Sequence, residues 1–147
     1  MAQFQFRLQS VLNLREKLED QKEIEYAQAL KALEEERAKE RALRSKKNDK
    51  IEALRLLVME TPDPREVFLH NEFIEALKEK IAAQIKVVRA AAEFAENKRL
   101  ELVEAMRDRK TIERLRENAL EEYYEEEKQI AQKQIDEVVS YRYANAL

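Results

Sequence analysis

The single histidine, His70, follows Glu66 by four residues. On a helix that spacing is one turn, so the two side chains share a face and could offer a nitrogen and an oxygen to a metal ion. Two ligands fall short of the four that a closed zinc site takes, so no metal is expected and His70 is read as part of a helix seam. Two acidic triplets, Glu34-Glu35-Glu36 and Glu125-Glu126-Glu127, raise the question of paired-carboxylate catalysis. A regular helix fans such runs around a solvated face, whereas acid–base work needs a concave, partly desolvated pocket that separates the two pKa values. The chain has no glycine and no cysteine. That excludes a Walker loop and a dinucleotide fingerprint, and it leaves no disulfide framework. No catalytic residue and no cofactor are expected, and the chain reads as a protein that acts by binding.

What positions these residues is written in the composition. Of 147 residues 40% are charged, 28 basic against 31 acidic, with two prolines and no tryptophan. Ala, Glu, Lys, Leu and Arg dominate, and all are good helix formers. Without glycine the chain lacks the left-handed turns that tight hairpins between strands require. A net charge of -3 argues against a dedicated nucleic-acid binder. The opening Met1 to Arg7 carries no apolar run of a secretory signal. Ile81 to Ala95, the most apolar stretch, is interrupted by Gln84, Lys86, Arg89 and Glu93, so it does not read as a membrane span. A cytoplasmic protein without direct membrane insertion is expected.

One break dominates: Glu60-Thr61-Pro62-Asp63-Pro64-Arg65-Glu66. Proline stops the first helix near Met59. Asp63 is placed to cap the second helix, Pro64 suits its first position, and Glu66 completes a capping-box-like pair. The expectation is an all-α fold, one coiled-coil domain over 1–147, with helix one about 7–59, a turn at 60–64, and helix two about 64–140. Helix two carries a 3-4 alternation from Val67 through His70, Ile74, Leu77, Ile81 and onward to Tyr123, Glu126 and Ile130, the seam of a coiled coil. For helix one the apolar residues suggest Phe4, Leu8, Val11, Arg15 and Leu18. After a one-residue slip they suggest Tyr26, Leu30, Leu33, Arg37, Glu40, Arg44, Lys47, Ile51, Leu54 and Val58. So short a connection forces the helices antiparallel, residue x facing about residue 123 minus x, with helix two overhanging helix one.

Two places break the pattern. Arg37, Glu40, Arg44 and Lys47 put charge on the expected seam opposite Leu77 and Ile81. Either their stems lie along the apolar surface with the heads in water, or the helices splay and leave Phe73, Leu77 and Ile81 as a strip for another protein. At the chain ends, the apolar start (Phe4, Phe6, Leu8, Val11) meets an overhang whose acidic residues are interspersed with Tyr123, Tyr124, Ile130, Ile135, Val138, Val139, Tyr141 and Tyr143. Apolar residues on an unpaired helix must pack on the other end, self-associate or enter a partner.

The opening Phe4-Gln5-Phe6-Arg7-Leu8-Gln9-Ser10-Val11-Leu12-Asn13-Leu14-Arg15-Glu16 resembles the start of flagellar FliJ proteins. Ile112-Glu113-Arg114-Leu115-Arg116 and, after an acidic helix, Gln132-Lys133-Gln134-Ile135-Asp136-Glu137-Val138 are also similar to that family, and the resemblance covers the full chain. It implies a two-helix coiled coil, similar to the central stalk of rotary ATP synthases, in the flagellar type III export apparatus. The implied partners are the hexameric export ATPase, which supplies all catalysis, the cytoplasmic domain of the membrane export-gate protein, and export chaperones that the chain escorts. The implied location is cytoplasmic, peripheral at the inner face of the cell membrane. In that analogy the paired chain ends enter the ring, giving a role to Phe4, Phe6, Leu8, Val11, Tyr123, Glu125, Glu126 and Glu127. Phe73, Leu77 and Ile81 become a candidate gate contact. The alternative from another class is a free-standing coiled-coil tether or holdase-like chaperone without an ATPase. A lipid-binding amphipathic protein would call for a wider apolar face flanked by Lys or Arg.

Overall fold

The computed structural model describes residues 3–60 and 63–146. Two helices account for nearly all of them: α1, Gln9–Glu60, and α2, Pro64–Ala146. No strand occurs among the described residues. Thr61 and Pro62, where the reversal was centred, lie outside the described residues. The start of α2 follows its local chemistry. The Asp63 carboxylate accepts from the Arg65 amide at 3.1 Å, satisfying a donor that no helical carbonyl reaches, and the Asp63 carbonyl accepts from Val67 at 3.0 Å. Nothing in Tyr141 to Ala146 terminates a helix, and α2 continues past Ser140.

The chain divides into two compact units, Lys22–Leu102 and the combination of Met1–Gln21 with Val103–Leu147. Within Lys22–Leu102 the helices pack antiparallel around buried Ala29, Leu33 and Ala95, with Val88, Ala91 and Ala92 against them. Alanine at four of these positions lets the two backbones approach closely, so small side chains suffice to close the seam. Nearer the start of α2, Ile74, Leu77 and Ile81 are buried. Gln84 Nε2 reaches across to Glu36, donating to its carboxylate at 2.6 Å and its carbonyl at 2.9 Å. In the other unit Leu12 is buried, Arg15 pairs with Asp108 at 3.5 Å, and Arg109 binds both Glu19 and Glu113. Within each unit these partners follow the antiparallel pairing expected from the turn.

The seam of α2 read from the sequence holds from Val67 to Tyr123, where its positions are shielded, but not at its last two positions: Glu126 and Ile130 are exposed, because nothing described of α1 or of the segment before it packs there. That of α1 requires a correction. Its seam runs through Leu12, Arg15, Glu19, Lys22, Tyr26, Ala29, Leu33, Glu36, Glu40, Leu43, Lys47, Lys50, Leu54 and Leu57, alternating threes and fours without a slip, with Gln9, Val11 and Glu25 also half-shielded beside it. Leu18, Leu30, Arg37, Arg44, Ile51 and Val58 are exposed instead. The physical reason is that charged residues occupy seam sites where α2 offers them a partner or an apolar bed for their stems. Apolar residues beside them on α1 are left outside.

Candidate partner-binding surfaces

In the unit that holds the chain ends, residues 3–6 are not helical and run beside α2. Phe4 packs on Tyr123 with ring centroids 5.5 Å apart, and the Arg116 guanidinium stands 5.7 Å from the Phe4 ring. Arg116 Nε also donates to Gln9 Oε1 at 3.2 Å, so one arginine ties the first turn of α1 and the segment before it to α2. Tyr123 touches Tyr124 edge-on at 5.7 Å. Burial, and then the negative charge and hydrogen bond of Glu127, push the Tyr123 phenol above its ordinary value. A groove of about 790 Å³ opens between this segment and α2, lined by Phe4, Phe6 and Leu8 on one side and by Leu115, Tyr123 and Glu126 on the other.

The structure therefore brings together Phe4, Phe6, Leu8, Tyr123 and Glu126. Val11 is half-buried nearby but does not line the groove. The acidic triplet divides: Glu127 turns to Tyr123, while Glu125 and Glu126 are exposed. Beyond it every residue from Lys128 to Ala146 is exposed.

In the unit Lys22–Leu102 the outcome differs from the open strip. Leu77 and Ile81 are 2% and 5% exposed, so the helices do not splay and those two residues form seam. Lys47 and Glu40 lie half-shielded at the seam, and Arg37 and Arg44 are on the surface, Arg44 paired with Glu40. Phe73, at 39%, is the part of the strip that reaches the surface. It does so under two ammonium groups, Lys50 Nζ at 4.8 Å and Lys46 Nζ at 5.5 Å from the ring centroid, a geometry in which the ring face attracts cations.

Two features escaped the sequence reading. Lys22, Glu25, Lys98 and Glu101 close a square of alternating charge with sides of 3.2 to 3.5 Å. The inner Glu101 oxygen is buried and is compensated there by two ammonium groups without a well-directed hydrogen bond. Near the start of α2, Phe68 and Leu69 are exposed and with Pro64 and Arg65 line a groove of about 410 Å³. The signal was available: Val67-Phe68-Leu69 is a longer apolar run than one seam position can bury. His70 is half-buried, and no group of three or more metal-ligating side chains occurs among the described residues. No helix among them is long and apolar enough to cross a membrane.

A heptad seam in each helix and antiparallel pairing within each unit define a two-helix coiled-coil protein. The family model of the flagellar FliJ protein matches residues 4–147, and the chain belongs to the flagellar FliJ family. Comparison with curated proteins and with solved structures gives no match.

Proposed function

We propose that this FliJ-family chain is a non-enzymatic component of the flagellar protein export apparatus, a coiled-coil domain that serves as a stalk linking the hexameric export ATPase to the membrane export gate. Family membership supports the export apparatus. The observation that favours a stalk is the arrangement at the chain ends. An aromatic N-terminal segment is clamped on Tyr123 beside exposed Glu125 and Glu126, and α2 runs on from there with all its side chains available. A ring with an apolar lining and a basic collar would bury the first and neutralise the second.

In this reading Phe4, Phe6, Leu8, Val11, Tyr123, Glu125, Glu126 and Glu127 face the ATPase, which supplies the catalysis. Phe73 is the gate contact, while Leu77 and Ile81 stay in the seam, and chaperone escort uses the exposed faces of the same helices. The chain works in the cytoplasm, peripheral to the membrane. Co-purification tests the assignment. The full chain should be retained by the cognate export ATPase and, separately, by the gate protein's cytoplasmic domain. Retention by neither would return the chain to the class of free-standing tethers.

A further inference from the structure

From Glu125 to Ala146, α2 runs about 33 Å at 1.5 Å per residue. Laid out at 100° per residue, Ile130, Ala131, Ile135, Val138, Val139 and Tyr141 fall on one half of this segment, interrupted there by Glu127, Lys128, Gln134 and Arg142. Glu125, Glu126, Gln129, Lys133, Asp136 and Glu137 fall on the other. The apolar half is fully in water: Ile130, Ile135, Val138 and Tyr141 are 54%, 55%, 52% and 69% exposed. It is the direct continuation of a seam that α1 covers as far as the Phe4–Tyr123 contact.

We propose that in the free protein this face is covered by the same segment of a second copy, the two tails pairing antiparallel about a dyad near Gln134. Charge order decides both occupant and direction. A parallel pair would set the triplet Glu125-Glu126-Glu127 against itself, whereas an antiparallel pair brings Arg142 of one copy to that triplet of the other. The dyad also sets Ile130 against Val138, apolar on apolar. A lipid surface is the poorer occupant, because the segment carries five carboxylates against the three basic side chains Lys128, Lys133 and Arg142, and anionic headgroups repel the excess. A seam of this length lies near the lower end of the ~1,200–2,000 Å² that stable interfaces bury, so the association is weak and concentration-dependent. The inference stands apart from the stalk reading. Where both hold, tail pairing and ring entry compete for one face, and the free protein masks its own ATPase-binding end.

The test uses the full chain, whose lack of cysteine gives a clean background. In sedimentation equilibrium at micromolar concentrations, the wild type should rise toward twice the mass of one chain. Ile135→Glu should hold it at the mass of one chain with its helical circular dichroism unchanged. In oxidative cross-linking, Gln134→Cys should couple to itself, and Ile130→Cys should couple to Val138→Cys when the two are mixed. A wild type that stays at one chain's mass overturns the inference, whether it is retained by phosphatidylglycerol vesicles, by the export ATPase or by neither. So does an Ile135→Glu variant that still associates. Self-coupling of Ile130→Cys and of Val138→Cys as efficient as that of Gln134→Cys would show parallel pairing and overturn it equally.

Discussion

Glu36 occupies a seam position that usually holds an aliphatic side chain, and Gln84 is what makes it tolerable there. The hydrogen bond from Gln84 is the main reason the Glu36 carboxyl titrates below its ordinary value, with the Lys39 hydrogen bond next and its charge a smaller contribution. A depressed carboxyl pKa in the folded chain stabilises above the unfolded pKa, and that stability is lost as pH falls through the folded value. Gln84→Ala should therefore move the Glu36 titration upward toward the unfolded value and flatten the acid limb of a melting-temperature profile. NMR titration of the Glu36 side chain reads this directly, and an unmoved midpoint would contradict it. The neighbouring apolar residues separate by the same logic of burial. Leu77→Ala should cost about 2–4 kcal/mol of stability, since it removes a buried seam side chain. Phe73→Ala should cost under ~1 kcal/mol of stability but weaken gate-domain binding by more than ~1 kcal/mol, as truncated interface anchors do. Thermal melts and titration calorimetry on the two variants check both halves. Equal stability losses would make Phe73 a seam residue as well.

The helices were legible to different depths. In α2 apolar residues hold most seam positions, so hydrophobic periodicity alone finds its face from Val67 to Tyr123. In α1 the face is half charged, with Lys22, Glu36, Glu40, Lys47 and Lys50 turned inward while Leu30, Ile51 and Val58 point out. A reading that follows apolar residues steps one position off wherever a leucine or isoleucine stands beside the true site, and from this came the spurious slip. Partners for Lys22, Glu36 and Lys50 lie on the other helix, at Glu101, Gln84 and Phe73, dozens of residues away in sequence, which no local pattern contains. The corrected register has its own test. Leu30→Ala should change stability by less than ~1 kcal/mol, whereas Ala29→Leu should overpack the alanine-lined contact and cost about 1–3 kcal/mol. Chemical denaturation of the two variants decides it; a larger loss at Leu30 would restore the slipped register. The groove of the chain-end unit was legible only as a coincidence of aromatic and acidic residues. That Arg116 joins Phe4 to Gln9 depends on the pairing of two segments more than a hundred residues apart.

For the whole molecule, the seam explains why a chain with a mean hydropathy of -0.73 folds at all. Each helix buries a narrow stripe, and the remaining surface carries the ion pairs, among which only those at the seam join one helix to the other. The Arg55–Glu52, Lys78–Glu75, Arg99–Glu96 and Arg114–Glu117 pairs are i,i+3 pairs on exposed faces and contribute little to stability. Such a surface is free to vary in charge without unfolding the protein, and charge at the chain ends is therefore free to serve binding. The stalk account rests on this. Its direct test is ATP hydrolysis by the cognate export ATPase with and without the chain. Removing the N-terminal segment through Leu8, or changing Glu125, Glu126 and Glu127 together to lysine, should abolish stimulation while leaving helicity and gate-domain binding in place. Stimulation by the wild type should also fade with salt, as the Debye length shrinks from about 10 Å at 0.1 M to about 3 Å at 1 M. Undiminished stimulation by both variants would mean that the chain ends do not enter the ring, and the stalk account would be wrong.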